Sequence, residues 1–169
     1  FLGVAQMSYG VGIGYDWLYH YLTESQRKTV VKAIYANAIS TQDSPPECMQ
    51  WISNWGPWCN CGLAVAAAAV FEDYPSQCAK IISNAISNIQ LSFVYGPGGS
   101  YPEGPAYSTV GLSFTAMFCD AMVNLLGTDF GLSDTAGIRE SGRFLMATNG
   151  YMSAFNFGDG ESQLQNNAA

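Results

Sequence analysis

With 169 residues, 49% of them hydrophobic, the chain can bury one sizeable core but is too short for two ordinary domains. Only 11% of residues are charged, 14% are aromatic, and the net charge of −7 gives a long-range field of the wrong sign for a general nucleic-acid or membrane-surface binder. The longest uninterrupted apolar run, residues 63–71, is too short to cross a bilayer, so the chain reads as soluble.

Residues 2–22 combine Gly3, Gly10, Gly12 and Gly14 with bulky Tyr15, Trp17, Leu18, Tyr19, Tyr21 and Leu22. This composition predicts a buried helix whose glycines let neighbours approach closely. The glycine spacing in YGVGIGYD lacks a preceding strand and is a weak nucleotide-loop signal. His20, the single histidine, reads as a surface or capping residue near the helix end. Thr23 and Gln26 form a capping box for a second, amphipathic helix, with Val30, Val31, Ile34, Tyr35 and Ala38 at helical spacing. It stops before Pro45 and Pro46.

A tryptophan-rich loop follows, with Trp51, Trp55 and Trp58 interleaved with Asn54 and Asn60. Residues 61–71, CGLAVAAAAVF, predict a helix apolar on every side and therefore buried. A fourth helix starts near Asp73 and Pro75, with Cys78, Ile81, Ile82, Ala85, Ile89 and Phe93 along one side. Between it and the next apolar helix, residues 107–126, lies YGPGGSYPEGPAY, residues 95–107. Its glycines and prolines force repeated turns, and it offers Tyr95, Ser100, Tyr101, Glu103 and Tyr107 as polar and aromatic groups. A sixth helix is expected over about 135–147, weakened by Gly137 and Gly142; only 151–157, YMSAFNF, has any strand character.

Buried and amphipathic helices thus alternate, and the buried helices at 61 and about 106 start one hairpin apart. The expectation is an all-α chain of about three helical hairpins, either part of an α/α toroid or an α-solenoid. Each first helix (2–22, 61–71, 106–126) should be more buried than its second. The loops at 51–60 and 95–107 both precede an inner helix, and should open at one end of the array with Asn54 and Tyr107 facing a shared cleft. There the aromatic rings can stack on sugar faces while Asn and Glu hydrogen-bond hydroxyls; alternatively the rings plug the end of the array.

Five cysteines leave at least one unpaired within the chain; Cys48, Cys59 and Cys61 could include a disulfide, whereas Cys78 and Cys119 read as buried thiols. Cys59 and Cys61 without further His or Cys nearby are poor zinc spacing, so no metal or cofactor is expected. A cysteine nucleophile would need a base, and nothing places His20 beside Cys59.

The segments GYDWLY with the following TESQRKTV, SNWGPWCNCGLA, GGSYPEGPAYSTVG, LLGTDFGLSDTAG and FNFGDG resemble, in order and over nearly the whole chain, the helical domain of heparinase II/III-like and alginate-lyase-like polysaccharide lyases. The resemblance implies an incomplete α/α toroid over residues 1–169, with the family's C-terminal β-sandwich absent. The chain begins without Met inside a predicted helix and reads as a fragment of a longer polypeptide. The implied reaction is β-elimination on an acidic, uronate-containing polysaccharide: the C5 proton is removed and the C4–O bond breaks. By resemblance Tyr107 is the catalytic base and acid, and Asn54 engages the uronate carboxyl. Many relatives carry His after that Asn, where this chain has Trp55. Trp51, Trp55, Trp58, Asn60, Tyr101 and Glu103 are the substrate-binding candidates, Glu103 serving either substrate or loop. Asp159, in FNFGDG, has no derivable role. Such an activity implies a secreted or periplasmic setting and no cofactor, nucleic acid or membrane partner. A uronyl epimerase, a non-catalytic glycan-binding or scaffold protein and a plain helical-repeat module are the alternatives.

Overall fold

A computed structural model describes residues 1–43, 45–93, 96, 98–151, 155 and 157–159. Among these the chain is all-α, with seven α-helices and no sheet. They are α1 (Leu2–Leu18), α2 (Glu24–Ile34), α3 (Trp55–Ala69), α4 (Pro75–Leu91), α5 (Pro105–Leu126), α6 (Ala136–Arg139) and α7 (Ser141–Thr148). Most of the 151–157 segment lies outside the described residues.

The organising element is α3. It begins at Trp55, six residues before the predicted start, because Pro57 falls in the first turn, where its missing N–H costs no intrahelical bond. Nearly every residue of α3 is buried, and α1, α4 and α5 all pack on it. Small residues make the closest approach: a Cβ on Gly62 would collide with the Ala5 carbonyl, and one on Gly12 would lie 2.9 Å from the Ala66 Cα. With Ala5 beside Gly62 and Gly12 beside Ala66, α1 and α3 run in the same direction. Parallel α3 and α5 are joined by Asn54 to Glu103 at their starts and, further along, by the Trp58 ring stacked on Phe114 at 4.7 Å.

α4 returns antiparallel to α3. The Ser92 hydroxyl donates to the Ser53 carbonyl (2.9 Å), Asn88 Nδ2 to Asn60 Oδ1 (3.1 Å), and Cys78 lies by the Val70 carbonyl. Pro75 opens α4, and Cys78, Ile81, Ile82, Ala85 and Ile89 form its buried side as the spacing predicts. The Thr23–Gln26 capping box is present at α2. α3 and α4 thus form one antiparallel hairpin.

Burial departs from expectation outside α3. α1 buries only Ala5, Ser8, Gly12 and Tyr15, and α5 only a stripe from Pro105 to Met122. The reason is positional: α1 and α5 flank α3, and beyond it α1 meets mainly α2 and its continuation while α5 meets α7, which leaves much of each helix uncovered among the described residues. α5 is also apolar and long enough, by length and composition, to cross a membrane, although Asp120 interrupts it and Ser108 and Thr115 lie on its α3 side. α1 stops at Leu18 in a 3-10 turn, Tyr19–Tyr21, rather than reaching residue 22. The helix predicted for 135–147 is divided at Glu140 into α6 and α7. All five cysteines are free and buried, so no disulfide joins Cys48, Cys59 or Cys61. Burial, with Cys48 adding to it, pushes the Cys59 thiol up to about 12.

Candidate functional site

The two singled-out loops meet through one carboxylate. Glu103 accepts the backbone N–H of Asn54 at 2.5 Å, and its two oxygens accept Asn54 Nδ2 at 2.9 and 3.1 Å. Asn54 immediately precedes α3, where helical N–H groups have no partner of their own, so an acceptor supplied from a distant loop ties down an otherwise loose end. Asn54 is 3% exposed, and its side-chain donors are taken up by Glu103. Of the two roles open to Glu103, holding the loop is the one it fills here.

The Glu103 backbone is braced from the other side. Asp159 N–H donates to the Glu103 carbonyl at 3.0 Å. Gly104 and Gly158 both have positive φ, +86° and +77°, and a Cβ on either would strike the opposite chain, Phe157 or Glu103. Two glycines with positive φ thus let residues 157–159 lie directly on Glu103 and Gly104. This role of the 157–159 segment is not legible in the sequence, because the contact joins residues more than 50 positions apart.

Tyr107 stands in the first turn of α5, four residues after Glu103, half-buried and packed against the core. On the α3 side, Trp51 is 47% exposed and Trp55 half-buried, their rings 5.3 Å apart and tilted by 42°. The indole N–H of Trp55 has no partner among the described residues. A cavity of about 530 Å³ lined by Ile52, Ser100, Tyr101 and Pro102 opens at this end.

Other candidates lie inside. Asn60, 1% exposed, donates to the carbonyls of Met49 and Gly56 (both 2.8 Å) and accepts from Asn88, so its amide pins three segments together. Expected in the tryptophan loop, Asn60 instead lies inside α3, where a buried amide has to be satisfied by such a network. Trp58 stacks on Phe114 with its ring N–H buried and without a hydrogen-bond partner among the described residues. Tyr101, 4% exposed, packs on Phe93 and fills the space left by Gly111; a Cβ there would lie 2.6 Å from its hydroxyl. Burial, then the Glu103 charge, pushes the Tyr101 phenol well up, against a weaker pull from Ser92. The structure therefore gathers Trp51, Asn54, Trp55 and Glu103 at the loop end, with Tyr107 in the first turn of α5, and buries Asn60, Trp58 and Tyr101 among packing contacts. His20 is exposed and lies against Tyr19, in the turn after α1. Among the described residues no cluster of metal-binding side chains occurs. Compared with known protein-family models and with curated proteins, the chain matches none.

Proposed function

We propose that the chain is the tyrosine-bearing helical part of a polysaccharide lyase that cleaves uronate-containing glycans by β-elimination, its hairpins forming part of an α/α toroid. The observation that carries this reading is the clasp of Glu103 on Asn54. It brings the tryptophan loop and the YPEGPAY loop to one end of the array, with Tyr107 one turn beyond the clasp. The parallel run of α1, α3 and α5, with α4 returning antiparallel, supports the toroid.

In this proposal the deprotonated Tyr107 oxygen takes the C5 proton, and the hydroxyl so formed protonates the departing glycosidic oxygen as the C4–O bond breaks, so one group serves as base and acid. The developing enolate needs a donor aimed at the uronate carboxyl. Since the Asn54 donors are committed to Glu103, Asn54 positions the loop pair, and the free Trp55 indole N–H stands where the carboxyl is received. The exposed Trp51 ring supplies a stacking face for a neighbouring sugar.

The test is release of unsaturated uronate from a panel of acidic glycans by the polypeptide that carries this segment. Tyr107→Phe is expected to abolish release while leaving the melting temperature and glycan binding unchanged; Trp55→Phe, which keeps an aromatic ring but removes the indole N–H with its five-membered ring, is expected to cut turnover about 100-fold. Undiminished release by Tyr107→Phe would remove the assignment of the base. A non-catalytic glycan-binding protein is the second reading, favoured by the engagement of the Asn54 amide. Binding of a glycan with no product from any of them would select it.

A further inference from the structure

A cavity of about 1260 Å³ lies away from the loop site. It is lined by the last turns of α3 and α5 and by the C-terminal half of α1. The parallel helices carry the loops at their other ends, so α3 alone, at 15 residues, separates the two regions by about 20 Å. Tyr15 is 6% exposed as a residue, yet its hydroxyl is not one of the buried polar atoms: it has no hydrogen-bond partner among the described residues and is open to a ligand in the cavity that the residue lines.

The surroundings indicate what would satisfy it. Asp73 and Glu72 raise the Tyr15 phenol after burial has done so, and both line the cavity without an ion-pair partner among the described residues. Arg27 and Lys32 line it too, so both signs of charge are present and neither an anion nor a cation is matched throughout. Trp17, 77% exposed, offers an indole face at the wall. An aromatic face with interleaved acceptors and donors suits an uncharged molecule that has apolar C–H faces and many hydroxyls, each able to donate and accept.

We propose that this cavity is a second binding site, for a neutral saccharide, in which the Tyr15 hydroxyl and Asp73 hydrogen-bond sugar hydroxyls and Trp17 stacks on a ring face. The site uses none of the residues assigned to β-elimination, so it stands or falls separately from that reading.

Cellobiose, maltose and diacetylchitobiose, with a glucuronate disaccharide and putrescine as charged comparators, would be titrated onto the full chain and followed by tryptophan fluorescence and saturation-transfer NMR. At least one neutral disaccharide is expected to bind, and Tyr15→Phe to weaken it about 5- to 10-fold without a change in melting temperature, the loss of one hydrogen bond. Trp17→Ala should weaken it similarly and remove the fluorescence response, whereas Tyr107→Phe should leave it unchanged. Absence of binding by every neutral saccharide at about 10 mM, unchanged affinity in Tyr15→Phe, or tighter binding of either charged comparator would overturn the proposal.

Discussion

Glu103 and Asn54 act as one unit, and removing either leaves the other with buried, unmatched polarity. Hydrogen bonds to a charged acceptor contribute about 1.5–3 kcal/mol. Glu103→Ala and Asn54→Ala are each expected to lower unfolding free energy by about 2 kcal/mol. The double variant should cost clearly less than the sum of the two, because the second change removes a group already without its partner. Urea unfolding of the four proteins measures this directly; strict additivity would mean that the contact contributes nothing to stability. The thiols give a second test at the same scale. Burial pushes Cys59 up to about 12 and Cys78 and Cys119 up to about 11. A folded-state pKa above the unfolded value means stabilisation that is complete below about pH 8, near the bottom of the free thiol's titration, and lost as pH climbs toward 11 to 12. The native chain should therefore leave a thiol reagent unconsumed near neutral pH, react at all five cysteines once unfolded, and lose stability in alkali. Rapid labelling of one thiol in the native state at neutral pH would contradict the burial.

Among the elements, α3 sets the others' positions through contacts that admit no extra atom. Gly62→Ala gains helix propensity, worth up to about 1 kcal/mol, yet sets a methyl against the Ala5 carbonyl. Overpacking of that kind costs about 1–3 kcal/mol, so the net change should be destabilising. Gly10 in α1 has nothing within 4 Å of its would-be Cβ, and Gly10→Ala should stabilise by about 0.5–1 kcal/mol. Thermal melts of the two variants should shift in opposite directions; a stabilised Gly62→Ala protein would mean that α1 does not pack there. The same helices show what periodicity carries. An alanine-rich stretch with no polar side announced a central helix, and the capping box announced α2, because both signals are local. The burial of α1 and α5 was overestimated from the same apolar composition. Composition records that a face is apolar but not whether a neighbour covers it, and here only one stripe of each meets α3. The start of α3 was placed late because tryptophans and a proline read as loop, although a proline in a first turn is compatible with helix. In the site, the sequence pointed to both loops, yet the Glu103–Asn54 clasp joins residues 49 positions apart. No local pattern encodes such a pairing, or the docking of Asp159 on Glu103.

For the whole molecule, parallel α1, α3 and α5 bring the loops before α3 and α5 to one end and leave the larger cavity at the other. The proposed cleft has one wall in these 169 residues, the loop end of the helices. Orientation of a polymer and exclusion of water need a second. On the proposed reading the 169 residues alone should be nearly inactive on uronate glycans even when fully folded, and a polypeptide that adds a second wall to them active. The proposal of β-elimination is tested most directly by the chemical identity of the product. Proton NMR of a uronate oligosaccharide incubated with the carrying polypeptide should show the vinylic H4 signal of a C4–C5 double bond growing with time, and no such signal with Tyr107→Phe. Saturated fragments, C5-inverted uronate with the chain intact, or an equal vinylic signal from the Tyr107→Phe protein would contradict the account.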